Sequence, residues 1–277
     1  MSNFVDGFCL LTDENETFTI TPDLLTTAPN GILALAGDDA VTGSSGNDRI
    51  NGNSGNDTLE GNSGADRLWG GQDLDFLFGG SGDDILNGNK GNDVIAGGEG
   101  NDILRGGQET DAITGEAGDD TIFGDRGSDV VVGGSGRDLM VISLPDDTSE
   151  IDAILDFQTA EADQIGLPPE LTEADLLLQP FSLSVDQALL DELVELAETQ
   201  GIVIPTQFIG FVTPEFIRQT MIDIVGVDID PDGDNMLTGT SVTVAETNQT
   251  IAQVVNVMPT DLAGAFVTLS AEQLAIG

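Results

Sequence analysis

The sequence predicts an all-β-dominated protein: one parallel solenoid, an amino-terminal cap, and a mixed β/α region at the carboxy-terminal side. Three observations predict it. First, 26 of the 36 glycines lie between Gly37 and Gly136. Second, cutting the chain every nine residues from Ala34 to Val141 gives twelve frames without insertion or deletion, among them GNSGNDTLE (52–60), GGSGDDILN (79–87) and GGEGNDILR (97–105). Third, the sixth position is always Asp: Asp39, Asp48, Asp57, Asp66, Asp75, Asp84, Asp93, Asp102, Asp111, Asp120, Asp129 and Asp138. The eighth is always apolar, running from Val41 and Ile50 to Val131 and Met140. Composition alone would suggest a Gly/Asn/Asp-rich disordered linker, but disorder has no reason to hold an Asp and an apolar residue in register twelve times.

Residues 1–33 precede the repeats and read as a cap, with strands at 16–20 and 31–35, because a solenoid end left bare exposes a strand edge. Within each repeat of residues 34–141, Gly, Asn and Ser at positions one to four permit the positive φ of a tight turn. Positions seven to nine predict a three-residue strand whose central side chain points inward. Two repeats make one flattened coil, and coils stack.

The Asp at position six adds a hard carboxylate to a turn where glycine lets carbonyl oxygens converge. An oxygen-only shell of about six to eight ligands suits calcium rather than zinc or copper. Gly fills position one in eleven frames, Ala34 being the exception, and position four in ten. The departures at position four, Asp73 and Glu109, both fall in odd-numbered repeats and put ion binding on that edge in question.

Positions seven and nine face outward, on opposite sheets in alternate repeats. The odd-repeat sheet displays a mostly apolar strip with Phe76, Phe78, Val94 and Val130, to be covered either by the chain's own carboxy-terminal region or by a second copy. The even-repeat sheet carries Arg49, Arg67 and Arg105 and is the wetter one, with Ile85, Ile103 and Leu139 in its later half.

Residues 142–277 predict a capping and assembly region. A helix fits 185–200, with Ser184 and Gln187 as a capping box, a stripe of Leu189, Leu190, Leu193 and Leu196, and Gly201 at its end. A second helix can start at Thr213-Pro214. Strands are expected at 222–227, 241–244, 251–257 and 265–269. Asp228, Asp230 and Asp232, followed by Gly233, form the first half of a calcium loop, but its twelfth position is Gly239 instead of a bidentate Glu. A second calcium site and a solvated acidic turn are both open readings there.

Fifty acidic residues against seven basic ones give a net charge of -43. Nucleic acid and anionic lipid are poor partners for such a chain. Without His there is no Ser-His-Asp triad and no H-E-x-x-H zinc site. Cys9 is the sole cysteine, so no disulfide forms within the chain. No apolar run reaches the ~18 residues that span a bilayer, so membrane insertion is not expected. The start, MSNFVDGFCLLTDENETF, does not read as a signal peptide. No pair of acids is marked out for glycoside hydrolysis, the only Trp is Trp69 and Tyr is absent, so no enzyme activity is expected.

The nonapeptide resembles the glycine-rich repeat of RTX, or hemolysin-type calcium-binding, proteins. That resemblance implies a parallel β-roll solenoid in which Ca2+ sits between turns one coil apart, held by an Asp carboxylate from each and by backbone carbonyls. Two columns of turns would then hold about ten internal sites. IDAILDFQTAEADQIGL (151–167) resembles the D-x-I-x-D-F…D-x-I-x-L segment that closes the roll in many RTX proteins, and places Ile154, Phe157 and Ile165 against the last coil. The stretches NGILALAGDDAVTGSSGNDRINGNSGND and VVNVMPTDLAGAFVTLSAEQLAIG resemble cyanobacterial hemolysin-type repeat proteins, including oscillin-like proteins of cell-surface fibrils. The resemblance implies leaderless type I secretion addressed by the carboxy-terminal region, an extracellular or cell-surface location, and a homo-oligomeric or filamentous assembly. The alternative is an adhesin or carbohydrate-binding module with 168–277 as its head, the roll as its stalk and a cell-surface glycan as its partner.

Overall fold

The computed structural model describes residues 3–21, 24, 28–144, 151–184, 236–247, 249–255 and 257–275. The expected helices at 185–200 and from Thr213-Pro214, the strand at 222–227, and Asp228, Asp230 and Asp232 lie outside the described residues.

The amino-terminal strands are β1 (Asn3–Val5), β2 (Phe8–Leu10), β3 (Thr17–Thr19) and β4 (Gly31–Ala36). The repeats form β5 (Ala40–Thr42), β6 (Arg49–Ser54), β7 (Thr58–Ser63), β8 (Arg67–Gln72), β9 (Phe76–Ser81) and β10 (Ile85–Lys90). They continue as β11 (Val94–Glu99), β12 (Ile103–Gln108), β13 (Ala112–Ala117), β14 (Thr121–Arg126), β15 (Val130–Ser135) and β16 (Leu139–Val141). Within the repeats odd strands pair only with odd and even with even, always parallel, giving a solenoid of about six turns.

The alternation follows from the nine-residue period, which turns the chain halfway around the coil, so each strand meets its equivalent 18 residues on: Leu86 lies opposite Leu104, and Ile95 opposite Ile113. The eighth-position side chains fill the interior, and all twelve are buried. Strands buried on one face between two parallel sheets need only this single inward side chain per repeat.

Most repeat strands run six residues instead of the expected three. Pairing covers positions seven to nine, skips position one, and resumes at positions two and three, as in Asn87↔Arg105, Asn89↔Gly107 and Lys90↔Gln108. A left-handed residue at position two, such as Asn53 (φ 75°) or Asn89 (φ 75°), bends the chain and turns its backbone groups back into the ladder.

Both ends are built by adding strands to the two sheets. β2 joins β4 on the even side, and β3 joins β5 on the odd side. Past the repeats, β17 (Asp152–Ile154) extends the odd sheet and β18 (Gln164–Leu167) the even one. Ile154, Phe157 and Ile165 are buried against the last coil, as the closing segment predicts. A 3-10 turn, Glu173–Asp175, leads to β19 (Leu176–Ser184), β20 (Met236–Val244) and β21 (Gln249–Val255), an antiparallel set joined to the odd sheet through β21 and β17. α1 (Pro259–Leu262), β22 (Phe266–Thr268) and α2 (Ala271–Leu274) follow, with β22 on β18.

The described carboxy-terminal tail packs on the even sheet: Leu269 forms a cluster with Phe123 and Val141, joined by Ile103, Leu139 and Leu274. On the odd sheet Val132 is buried, while Phe76 and Phe78, with Leu74 in the turn before them, remain more than a third exposed. Among the described residues no helix is long and apolar enough to cross a membrane.

Candidate metal centre

Each turn is made of positions one to six of one repeat, and every repeat Asp is at most 2% exposed. Its backbone is fixed by the neighbouring coil. The Asp39 carbonyl accepts the Thr58 N–H at 2.7 Å, and the Asp48 carbonyl accepts the Arg67 N–H at 2.9 Å. Its side chain is fixed from the other direction. Oδ1 of Asp57 accepts the Asp39 N–H at 2.8 Å, Oδ1 of Asp93 the Asp75 N–H at 2.9 Å, and Oδ1 of Asp120 the Asp102 N–H at 2.7 Å. Asp39, Asp57, Asp75, Asp93, Asp111 and Asp129 thus form one ladder, and Asp48, Asp66, Asp84, Asp102, Asp120 and Asp138 the other.

That ladder uses one oxygen of each carboxylate. The second, Oδ2, is buried without a hydrogen-bond partner at Asp39, at each repeat Asp from Asp57 to Asp120, and at Asp138. Asp48 differs, because its Oδ2 accepts the Ser44 N–H at 2.6 Å and its Oδ1 is the orphan. Leaving a buried carboxylate oxygen without a donor is costly, and repeating it along two columns demands a counter-charge.

The space in front of these oxygens has the right lining. A methyl group placed on Gly79 would lie 2.5 Å from Asp84 Oδ2 and would also meet the Gly97 carbonyl. One placed on Gly115 would meet Asp120 Oδ2 and the Gly133 carbonyl. First-position glycine therefore keeps open a small space bounded by carboxylate and carbonyl oxygen, the donor set of a hard cation. Among the described residues no three acidic or thiol side chains converge on one point, so backbone carbonyls must complete any shell.

Without a cation beside them, burial pushes the carboxyls well above the ordinary carboxylate range, to about 7 at Asp57, Asp66 and Asp120 and about 8 at Asp75 and Asp111. Asp84, Asp93, Asp102 and Asp138 rise to about 6. The N–H bond from the preceding Asp pulls the other way in each, and like charge along the column adds to the rise.

The two odd-edge departures keep the turn. Asp73 (φ 74°) and Glu109 (φ 79°) take the left-handed conformation that glycine holds elsewhere at position four, as at Gly118 (φ 143°). Their carboxylates raise Asp75 and Asp93 respectively, so the departures add negative charge to the odd column without opening its turns.

Sequence spacing missed the residues that end the columns. The Glu16 N–H donates to Asp39 Oδ1 at 2.7 Å, while the Glu16 carboxylate turns back to the Thr12 N–H and hydroxyl. At the other end the Asp129 N–H donates to Asp152 and the Asp138 N–H to Asp163, whose second oxygen accepts the Gln158 N–H at 2.7 Å. Asp156 accepts the N–H groups of Gly133 and Gly134, and Glu161 that of Gly136. The available signal was the Asp-x-apolar pair, present in Asp152-Ala-Ile154 and Asp163-Gln-Ile165 at broken spacing.

The described site thus holds glycine-lined turns, two buried carboxylate columns and oxygen donors alone. Residues 33–140, about two fifths of the chain, match the RTX calcium-binding nonapeptide repeat in six overlapping stretches: 33–68, 42–77, 51–86, 69–104, 78–113 and 105–140. The roll is built of these repeats, and its ion is calcium. No curated protein matches the chain. The orphan oxygens of the repeat aspartates, Asp129 aside, fit that ion together with first-position carbonyls and are the groups that would hold it. Calcium bound there supplies the positive charge that the columns lack.

Proposed function

We propose that the chain is a non-enzymatic, secreted structural protein that folds on calcium outside the cell and assembles on the cell surface, in the manner of the oscillin-like fibril proteins it resembles. The carrying observation is the pair of columns with buried, donorless carboxylate oxygens. Residues 34–141 hold 21 acids and 6 bases, so without cations the roll opposes its own compaction. Most repeats bury a single apolar side chain, which is little against the entropy of nine ordered residues. A cytosol poor in calcium keeps such a segment unfolded and exportable, and extracellular calcium, bound with the Kd of about 10⁻⁴ to 10⁻³ M usual for extracellular modules, drives folding by mass action. The type I export implied by the RTX resemblance needs an unfolded substrate of this kind.

The assembly part rests on the odd sheet, where Phe76 and Phe78, with Leu74 in the turn before them, leave an apolar patch on a chain of net charge -43. Electron microscopy and sedimentation of the calcium-loaded protein test it. Filaments or oligomers that disappear in Phe78→Glu/Val94→Glu, with strand content retained, support assembly. Monodisperse particles for the unaltered chain in calcium overturn it.

A further inference from the structure

The outer face of the even sheet carries a second cluster that the calcium columns do not use. Arg49 and Arg67 lie directly opposite each other on β6 and β8, and both are exposed. Neighbouring strands are about 4.8 Å apart, and like charges set opposite one another destabilise a sheet. Neither guanidinium donates a hydrogen bond or meets a carboxylate within 4.0 Å among the described residues. This is unexpected in a chain with 50 acids and 7 bases. Arg105 and Arg137, by contrast, are paired at 2.8 Å with Asp125 and Asp119. Asp83 lines a neighbouring cleft with the two free arginines but pairs with neither.

The same strands place the chain's only tryptophan beside the pair. Trp69 lies between Asn51 and Asn87 on the adjoining strands, with its surface half-buried. Phe8, Leu33, Arg49, Asn51, Arg67 and Trp69 line a cleft of about 360 Å³. The tail that covers Phe123 and Val141 lies farther along this sheet, so the cleft sits between the amino-terminal cap and the covered part.

The geometry points to a binding site for a carboxylate-bearing sugar of an acidic polysaccharide. Two forked guanidinium groups suit one planar carboxylate, the indole face suits a pyranose ring, and the flanking amides can both donate to and accept from hydroxyls. An acidic peptide fits less well. The backbone groups of β6 and β8 are spent on the ladder, so a peptide cannot add as a strand, and an apolar helix face would leave the Arg49 and Arg67 guanidinium groups without a counter-charge. The site lies on the roll itself, apart from residues 168–277, and does not depend on whether the chain assembles.

Trp69 fluorescence reads this cleft without a label, since no other tryptophan contributes. The full chain, folded in calcium, is titrated with trigalacturonate, with its methyl ester and with hexaglutamate. The expected result is a saturable Trp69 change with trigalacturonate that is much weaker with the ester and the peptide. Arg49→Gln/Arg67→Gln should weaken binding about tenfold or more while circular dichroism in calcium is unchanged. If the double variant loses strand content, Arg67→Gln alone is read the same way. Circular dichroism reports calcium folding separately, so loss of the roll and loss of the ligand give different signals. No Trp69 response, equal binding by the arginine variants, or hexaglutamate binding as tightly as the saccharide would each overturn the assignment.

Discussion

At Asp93, in the middle of the roll, one carboxylate oxygen accepts the Asp75 N–H and the other meets no donor. At Asp163, past the last coil, one oxygen accepts the Asp138 N–H and the other the Gln158 N–H. Glu16 closes the opposite end likewise, with its carboxylate turned to Thr12. The same ladder thus continues through ends and middle, but among the described residues only the middle leaves buried oxygens for a cation. A repeat array needs end pieces that do not invite another repeat. Here the end carboxylates stop the ion columns with protein donors instead of half-built sites.

The largest expected effect breaks the middle. Asp93→Ala removes the acceptor of the Asp75 N–H and a carboxylate that, on the stacked-coil arrangement the RTX resemblance implies, would serve ions on either side. Removing one partner of a buried charged contact costs about 3 kcal/mol, so Tm in calcium should fall by roughly 6 to 12 °C. Asp39→Ala, in the first coil, should cost about half as much. Thermal melts in calcium check the order, and equal shifts would contradict the stacked-coil arrangement.

A pH experiment sharpens the comparison without calcium. In the folded roll, burial holds Asp57, Asp75 and Asp111 protonated up to about 7 to 8, whereas the unfolded chain titrates near 3.9. The folded state binds more protons between those values, so its stability falls as pH rises. That contribution is full below about pH 4 and is lost as pH rises through 6 to 8. In EGTA, strand content at about pH 5 should therefore exceed that at pH 8. Strand content that is unchanged or lower at pH 5 would count against buried carboxylates as the obstacle.

A smaller effect is expected at the end. Asp163→Asn keeps an oxygen for the Asp138 N–H, so bound calcium per chain should stay constant and stability should drop by ~1 kcal/mol. Equilibrium dialysis measures the first and melting the second. A loss of bound calcium would mean that the column runs past Asp138. Smallest of all, Glu109→Gly relieves a left-handed non-glycine residue and one column charge, and should raise Tm by about 2 °C in calcium.

Much of the middle was legible because its physics is periodic. A fixed Asp two residues before a fixed apolar residue, with glycine turns, specifies an inward side chain, a buried carboxylate and a strand on each flank. The six-residue strands were not legible, since pairing of positions two and three depends on how Asn89 and Gly107 stack one coil apart. The ends were hidden by their spacing. Asp152 lies 23 residues after Asp129 and Asp163 lies 25 after Asp138, against 18 within the roll. The hydrogen bond is kept although the spacing is not. The Arg49–Arg67 pair was visible as charge on the wetter sheet, but its lack of acidic partners among the described residues appears only when Asp125 and Asp119 are seen to serve Arg105 and Arg137.

The central claim is that calcium supplies what the donorless oxygens lack, and far-ultraviolet circular dichroism of the full chain during a calcium titration from EGTA tests it most directly. Strand content should be low in EGTA at pH 8 and rise steeply and cooperatively with calcium, with no such rise on adding magnesium at equal ionic strength. Full strand content in EGTA, unchanged by calcium, would contradict it.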